Sequence, residues 1–137
     1  MSEQAKDVVR RLYDEVLNAH RPDVADEIAT PDFVIRGAPN DAIGPEALKA
    51  TERMLRGGFA DLHFTIDDMV AEADRVAVRW TMRGTNTGDY FGMPATGRST
   101  EIRAIVIFRL VGDRLAELWP LIDIYGLRQQ LTDSAAA

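Results

Sequence analysis

The stretch "LAELWPLIDIYGLRQQL", residues 115–131, sets a single aspartate among aliphatic neighbours. Asp123 is flanked by Leu121, Ile122, Ile124 and Tyr125. A desolvated carboxylate is costly unless it is paired, hydrogen-bonded or neutralised, and burial raises its pKa toward that of a useful general base. The same position suits a helix N-cap, because "DIYGLRQQL" can begin helically at the aspartate. Spacing alone favours the cap over catalysis. Tyr125 and Arg128 also lie close enough in sequence to pair with the acid.

The other chemistry-bearing residues are more scattered. Tyr13 falls between the apolar stripe of the first helix and its charged side, so it either reaches a pocket or edges the core. Arg36 and Arg103 interrupt apolar strands, where arginines commonly pair with surface acids such as Glu101. His20 sits in a loop and is expected to face solvent. His63 stands on a strand with no second histidine or carboxylate at metal-ligand spacing. Two histidines without a motif point away from a metal site. "GTNTGDYFG" lacks the glycine spacing and following helix of a phosphate loop.

Positioning these groups requires elements, and the hydrophobic periodicity supplies them. Val8, Val9, Leu12, Val16 and Leu17 recur at helical spacing over residues 4–18. "VADEIA" reads as a short second helix and "FVIRG" as a short strand. "PEALKATERMLRGGF" reads as a third helix, with Pro45 in its first turn and a glycine pair at its end. Strand alternation then takes over in "LHFTIDDMVAEAD", "RVAVRWTMRG", "TEIRAIVIFRL" and "RLAELWPLID". Helices followed by an antiparallel meander predict an α+β fold in one domain, residues 1–137.

The tight turn "VGD" at 111–113 sets a register. With Leu110 opposite Arg114 or Leu115, Val106 falls near Trp119, Ala104 near Leu121, and Ile102 near Asp123. Leu115, Glu117, Trp119, Leu121 and Asp123 would then share a face with Ile102, Ala104, Val106, Phe108, Trp80 and Met82, a face that is apolar apart from Glu117 near the turn and Asp123. Such a wall could line an apolar cavity, with Asp123 as its isolated acid. Ile105 and Ile107 would point outward beside Leu118 and Ile122. Four aliphatics on an exposed sheet face suggest a homodimer interface.

Composition bounds the function. The 137 residues are 46% hydrophobic and 28% charged, enough for a packed core. A net charge of −6 without a basic cluster argues against nucleic acid or an anionic membrane as partner. The absence of cysteine excludes thiol chemistry and fits a cytoplasmic protein. The N-terminal residues lack the apolar core of a signal peptide, and no apolar run is long enough to span a bilayer.

Taken together, "VVRRLYDEVLNAHRPDVADEIATPDFV", "GPEALKATERMLRGGFADLHFTIDDMVAEADRVAVRWTMRGTNTG", "FGMPATGRSTEIRAIVIFRLVGDRLAELW" and "DIYGLRQQL" resemble the SnoaL-like polyketide cyclases. The likeness runs from about residue 5 to residue 131. It implies a cone-shaped α+β barrel of the nuclear-transport-factor-2-like superfamily, with a curved, mostly antiparallel sheet wrapped around helices and an apolar pocket. It also implies an intramolecular aldol ring closure without metal or cofactor. In that chemistry Asp123 would be the acid/base, while Tyr13, Arg36, Trp80, Met82, Ala104, Val106, Trp119 and Leu121 would bind a small apolar carbonyl compound. Relatives often carry acids where this chain has Pro120 and Val106, so its pocket should be more apolar than usual. The alternatives are a non-catalytic pocket protein, or another reaction of the superfamily such as isomerisation, hydration or epoxide hydrolysis.

Overall fold

The computed structural model describes residues 2–38 and 40–132 of the chain, without the side chain of Ser2. Helix α1, Ser2–Arg11, carries straight on into π-helical turns over Leu12–Asn18. Val9, Leu12, Tyr13, Val16 and Leu17 form its buried stripe. The wider turns close through the Ala19 amide on the Asp14 carbonyl at 3.0 Å, five residues back. Single π-turns of this kind commonly mark functional positions. A 3₁₀ turn, Pro22–Val24, leads into the short α2, Ala25–Ile28.

Strand β1, Ala29–Ile35, starts earlier than the proline at position 31 would lead one to expect. It tolerates Pro31 because it is an edge strand whose pairing is irregular between Ala29 and Val34. Helix α3, Pro45–Gly58, follows Gly44, whose φ of 81° suits glycine and whose missing side chain leaves room for the Pro31 carbonyl. Strands β2 (His63–Glu72), β3 (Arg75–Thr85), β4 (Ser99–Val111) and β5 (Arg114–Ile122) complete the sheet, and α4, Ile124–Thr132, closes the described chain.

The sheet has five strands in the order β1-β5-β4-β3-β2. The expected antiparallel meander holds for β2 to β5, and β1 adds to it in parallel against β5. Across the strands, Ile66, Trp80, Ala104 and Ile122 form one inward row; Phe64, Met82 and Ile102 form another. A third runs through Met69, Val78, Val106 and Pro120. The helices cover this side, and fully buried Phe33, Phe59 and Phe108 sit between the layers. Burying each such ring contributes about 1.5–3 kcal/mol.

The last strand departs from the register read from the sequence. Leu110 does pair with Leu115, but Arg109 pairs with Glu117, leaving Ala116 as an extra, buried residue. This β-bulge reverses the facing of everything after it. Leu118, Pro120 and Ile122 turn inward, while Trp119, Leu121 and Asp123 turn outward. Leu118 and Ile122 are therefore not part of the outer face, and Trp119 and Leu121 are not part of the interior.

Candidate functional site

The concave side of the sheet does not pack solidly against the helices. It leaves an apolar cavity of about 110 Å³. An engineered apolar cavity of roughly 150 Å³ accepts benzene, so this enclosed space is somewhat tighter than one ring needs, and a ring-sized ligand must also use the room toward the mouth. Phe64, Trp80, Met82, Ile102 and Val106 form its floor, and Leu118, Pro120 and Ile122 form one wall. Tyr13 enters from the π-helical turns, and Leu48, Thr51, Met54 and Leu55 of α3 close the opposite side.

The mouth is shaped by two loops. Asn40 pins one of them: its amide donates to the Ala47 carbonyl at 2.9 Å and to the Thr51 hydroxyl at 3.2 Å, and its oxygen accepts the Ala42 amide at 3.1 Å. The other is the long connection between β3 and β4, organised by fully buried Asn86. Asn86 donates to the Gly88 carbonyl at 2.8 Å and accepts the Thr96 amide at 2.8 Å. That connection presents a two-residue turn in which Tyr90 and Met93 exchange backbone hydrogen bonds of 2.9 Å in each direction. Phe91 and Gly92 occupy its centre with φ of 49° and 75°, as a turn of the primed type demands. The left-handed conformation costs phenylalanine what it does not cost Gly92. Phe91 thereby lies against Tyr90, ring centroids 4.4 Å apart, and lines the cavity.

No charged side chain lines the cavity among the described residues. Asn40 is committed to its loop, and the Thr51 hydroxyl donates to the Ala47 carbonyl at 2.9 Å. The phenols of Tyr13 and Tyr90 remain. Burial pushes both upward from the ordinary phenol range, and the neighbouring Trp80 N–H offsets only part of this for Tyr13. Both are neutral at any physiological pH and so keep a proton available for donation. Tyr13 is clamped by aromatic rings, with centroids 5.4 Å from Phe64, 6.3 Å from Trp80 and 6.2 Å from Phe108.

The chain belongs to the SnoaL-like polyketide cyclases. The model of that family matches residues 7–131, most of the chain. Among solved structures, TsrD from Streptomyces laurentii is 29% identical with a TM-score of 0.82, covering 92% of this chain and 96% of its own. IdmH from Streptomyces antibioticus is 28% identical with a TM-score of 0.80, covering 93% of this chain and 98% of its own. A SnoaL-like protein from Jannaschia sp. CCS1 shares the fold at 24% identity and a TM-score of 0.84, over 96% of this chain and 93% of that one. A search of curated protein sequences finds no match. The cone-like α+β architecture of the family is the architecture seen here. No described helix is long and apolar enough to cross a membrane.

Against the SnoaL-like pattern, the structure places Tyr13, Trp80, Met82 and Val106 on the cavity wall. Ala104 is buried in the inward row but does not line the cavity. Arg36 is outside, donating to the Glu117 carboxylate at 2.6 Å, and Arg109 donates to the same acid at 2.9 Å. The two guanidiniums, Arg109 first, hold Glu117 below the usual carboxylate range. Trp119 lies on the outer face under the Arg75 guanidinium, 5.2 Å from the ring centroid. Leu121 is 79% exposed.

Asp123 is exposed and does not line the cavity. Its carboxylate accepts the Gly126 amide at 2.8 Å, and its carbonyl accepts the Leu127 amide at 3.1 Å, the geometry of an N-cap on α4. Of the readings open to it from spacing, this is the one its contacts match. Sequence reasoning missed Pro120, Leu118 and Ile122 because of the bulge. It missed Tyr90 and Phe91 because their connection read only as loop. His20, expected to face solvent, instead bonds Glu52 of α3 at 3.2 Å while remaining 35% exposed.

Proposed function

We propose that this SnoaL-like chain catalyses a cyclase-type ring closure of a small, flat, carbonyl-bearing apolar substrate. The observation that carries the proposal is a neutral, buried Tyr13 set in a cavity that no charged side chain lines among the described residues. In an aldol closure, an α-carbon loses its proton, the resulting enolate carbon attacks a ketone carbon, and the ketone oxygen gains negative charge. A phenol donating to that oxygen stabilises charge that develops only in the transition state. The walls exclude water and hold the chain folded, which raises the effective concentration of the reacting ends. With no carboxylate in the cavity, this reading requires a carbon acid activated by two neighbouring carbonyls, which gives up its proton to water at the open mouth. The alkoxide takes the Tyr13 phenol proton, and the phenolate regains one from the hydronium left by the first step as the product leaves. In this reading Asp123 serves as a cap, and the resemblance-based acid/base role does not apply to it.

The test is Tyr13→Phe, which keeps the ring and removes the donor. Ring closure of a synthetic aryl triketone, in which the carbon between two carbonyls can reach a third ketone, should slow by about 10²-fold with KM little changed. Undiminished turnover would remove Tyr13 from the chemistry. Binding of the substrate without any turnover in the unsubstituted protein would favour the second reading, a ligand-binding pocket, which the missing carboxylate also supports.

We further propose that the outer sheet face pairs with a second copy. Val70, Ala77, Ile107 and Trp119 form one outward row, and Ile105 and Leu121 extend the apolar area. Glu72, Arg75, Arg109 and Glu117 flank it on one side; Asp68, Arg79, Glu101 and Arg103 flank it on the other. Both flanks carry both signs, so the surface can complement itself under a two-fold rotation.

A further inference from the structure

Two buried side-chain polar atoms lack a hydrogen-bond partner among the described residues, the Thr30 hydroxyl and the Trp80 indole nitrogen. Thr30 lies away from the cavity, whereas Trp80 is part of its floor. Trp80 is 5% exposed, and an indole N–H can only donate. Such a donor loses its hydration with nothing in return, so a native site normally supplies an acceptor. The residues around it supply none. Phe64 meets the indole edge to face at 4.7 Å, and Met82 and Val106 are apolar. The Tyr13 phenol is near enough to feel the N–H, but the two make no hydrogen bond of acceptable geometry.

We infer that Trp80 Nε1–H is a ligand-binding donor, which together with the Tyr13 hydroxyl forms a two-donor seat for one oxygen of the substrate. This rests on the reading of the cavity as a substrate site and deepens it. The ligand enters with a carbonyl oxygen leading, and its hydrocarbon body follows toward Phe91 and Met54. Donors from two elements, the π-helical turns and β3, then fix the orientation of a substrate that the apolar walls would otherwise hold in any pose. A site built around donors rejects analogues that lack the oxygen, because their binding leaves the donors unpaired. Trp80 would thus set specificity toward ketones over hydrocarbons of the same shape.

The probes are acetophenone and ethylbenzene, which share a ring and a two-carbon side chain but differ in the oxygen. With only two tryptophans in the chain, Trp80 and Trp119, the indole N–H resonances are readily followed in ¹⁵N-labelled protein. Acetophenone should move the Trp80 indole proton downfield and leave Trp119 in place, whereas ethylbenzene should produce no such shift. Trp80→Phe should weaken acetophenone by about tenfold and change ethylbenzene by less than about twofold, the loss expected of one hydrogen bond. If both compounds bind and the Trp80 proton stays put, the donor role is overturned while the cavity reading stands. If neither compound binds, both fall. The resonance measurement uses the unsubstituted protein, so it decides even if Trp80→Phe does not fold.

Discussion

The Gly126 amide donates to the Asp123 carboxylate across 2.8 Å, tying the first turn of α4 to the end of β5. A side chain on residue 126 would collide with that carboxylate, so the cap and the glycine depend on each other. Asp123→Ala should lower stability by about 1 kcal/mol, and Asp123→Asn should be nearly silent because asparagine caps as well as aspartate. Turnover should survive in the asparagine variant. Melting temperature and activity of both variants check this, and a dead but stable asparagine variant would return Asp123 to the chemistry.

Glu52 gives a pH dependence. Its side chain is 2% exposed, and burial alone would push its pKa up, but hydrogen bonds from Arg56 at 2.8 Å and His20 at 3.2 Å outweigh burial and hold it below the ordinary carboxylate value. A carboxylate lowered in the folded state contributes stability that is fully present above the unfolded pKa of about 4.3 and is lost as pH falls through the folded value. Glu52→Gln should therefore cost about 1 kcal/mol at neutral pH and progressively less in acid. Urea unfolding between about pH 3 and pH 7 measures this; parallel stability curves for the two proteins would contradict it.

Gly88 lies where a side chain would run into the Gly57 carbonyl at the end of α3. Both partners are backbone, so neither can yield without moving an element. Gly88→Ala should lower stability by about 2 kcal/mol and loosen the turn that carries Tyr90 and Phe91. Thermal melting, together with proteolysis in the 88–98 connection, reports both effects.

The outer face predicts a dimer that surface charge can break. Ile105 and Ile107 are 53% and 42% exposed, so replacing both with glutamate should spare the fold. Sedimentation should then show a folded monomer in place of a dimer. A dimer of unchanged strength would place the interface elsewhere.

Much of this architecture was legible in the sequence because the physics was local. The α1 stripe, Pro45 at the start of α3, the alternation of Val76, Val78, Trp80 and Met82, and the tight turn at Gly112 each announce an element from a few neighbouring residues. The facing of β5 was not legible, because it depends on how one residue, Ala116, is accommodated by a partner strand. A hint was present: Glu117 and Asp123 share parity, and putting both acids on an apolar wall was the costly assignment. Seen the other way, they fall on the solvent side with Trp119 and Leu121 between them. The parallel pairing of β1 with β5 was also out of reach, because strands whose paired residues lie 83 to 86 positions apart leave no local trace of their contact. Tyr90 and Phe91 reach the cavity only through the long-range hold of Asn86, again invisible to periodicity.

The Ala116 bulge bears on how such a protein could diversify. Because the bulge alone sets the parity of the strand beyond it, pairing Ala116 regularly opposite Arg109, with no residue lost, would exchange the two sides of β5 at a stroke. Pro120, Leu118 and Ile122 would leave the interior, and Trp119, Leu121 and the two acids Glu117 and Asp123 would replace them. Descendants that differ only in whether this one residue is bulged or paired could then hold an oily chamber or an acidic one within the same scaffold, a larger change in interior chemistry than any single substitution could bring.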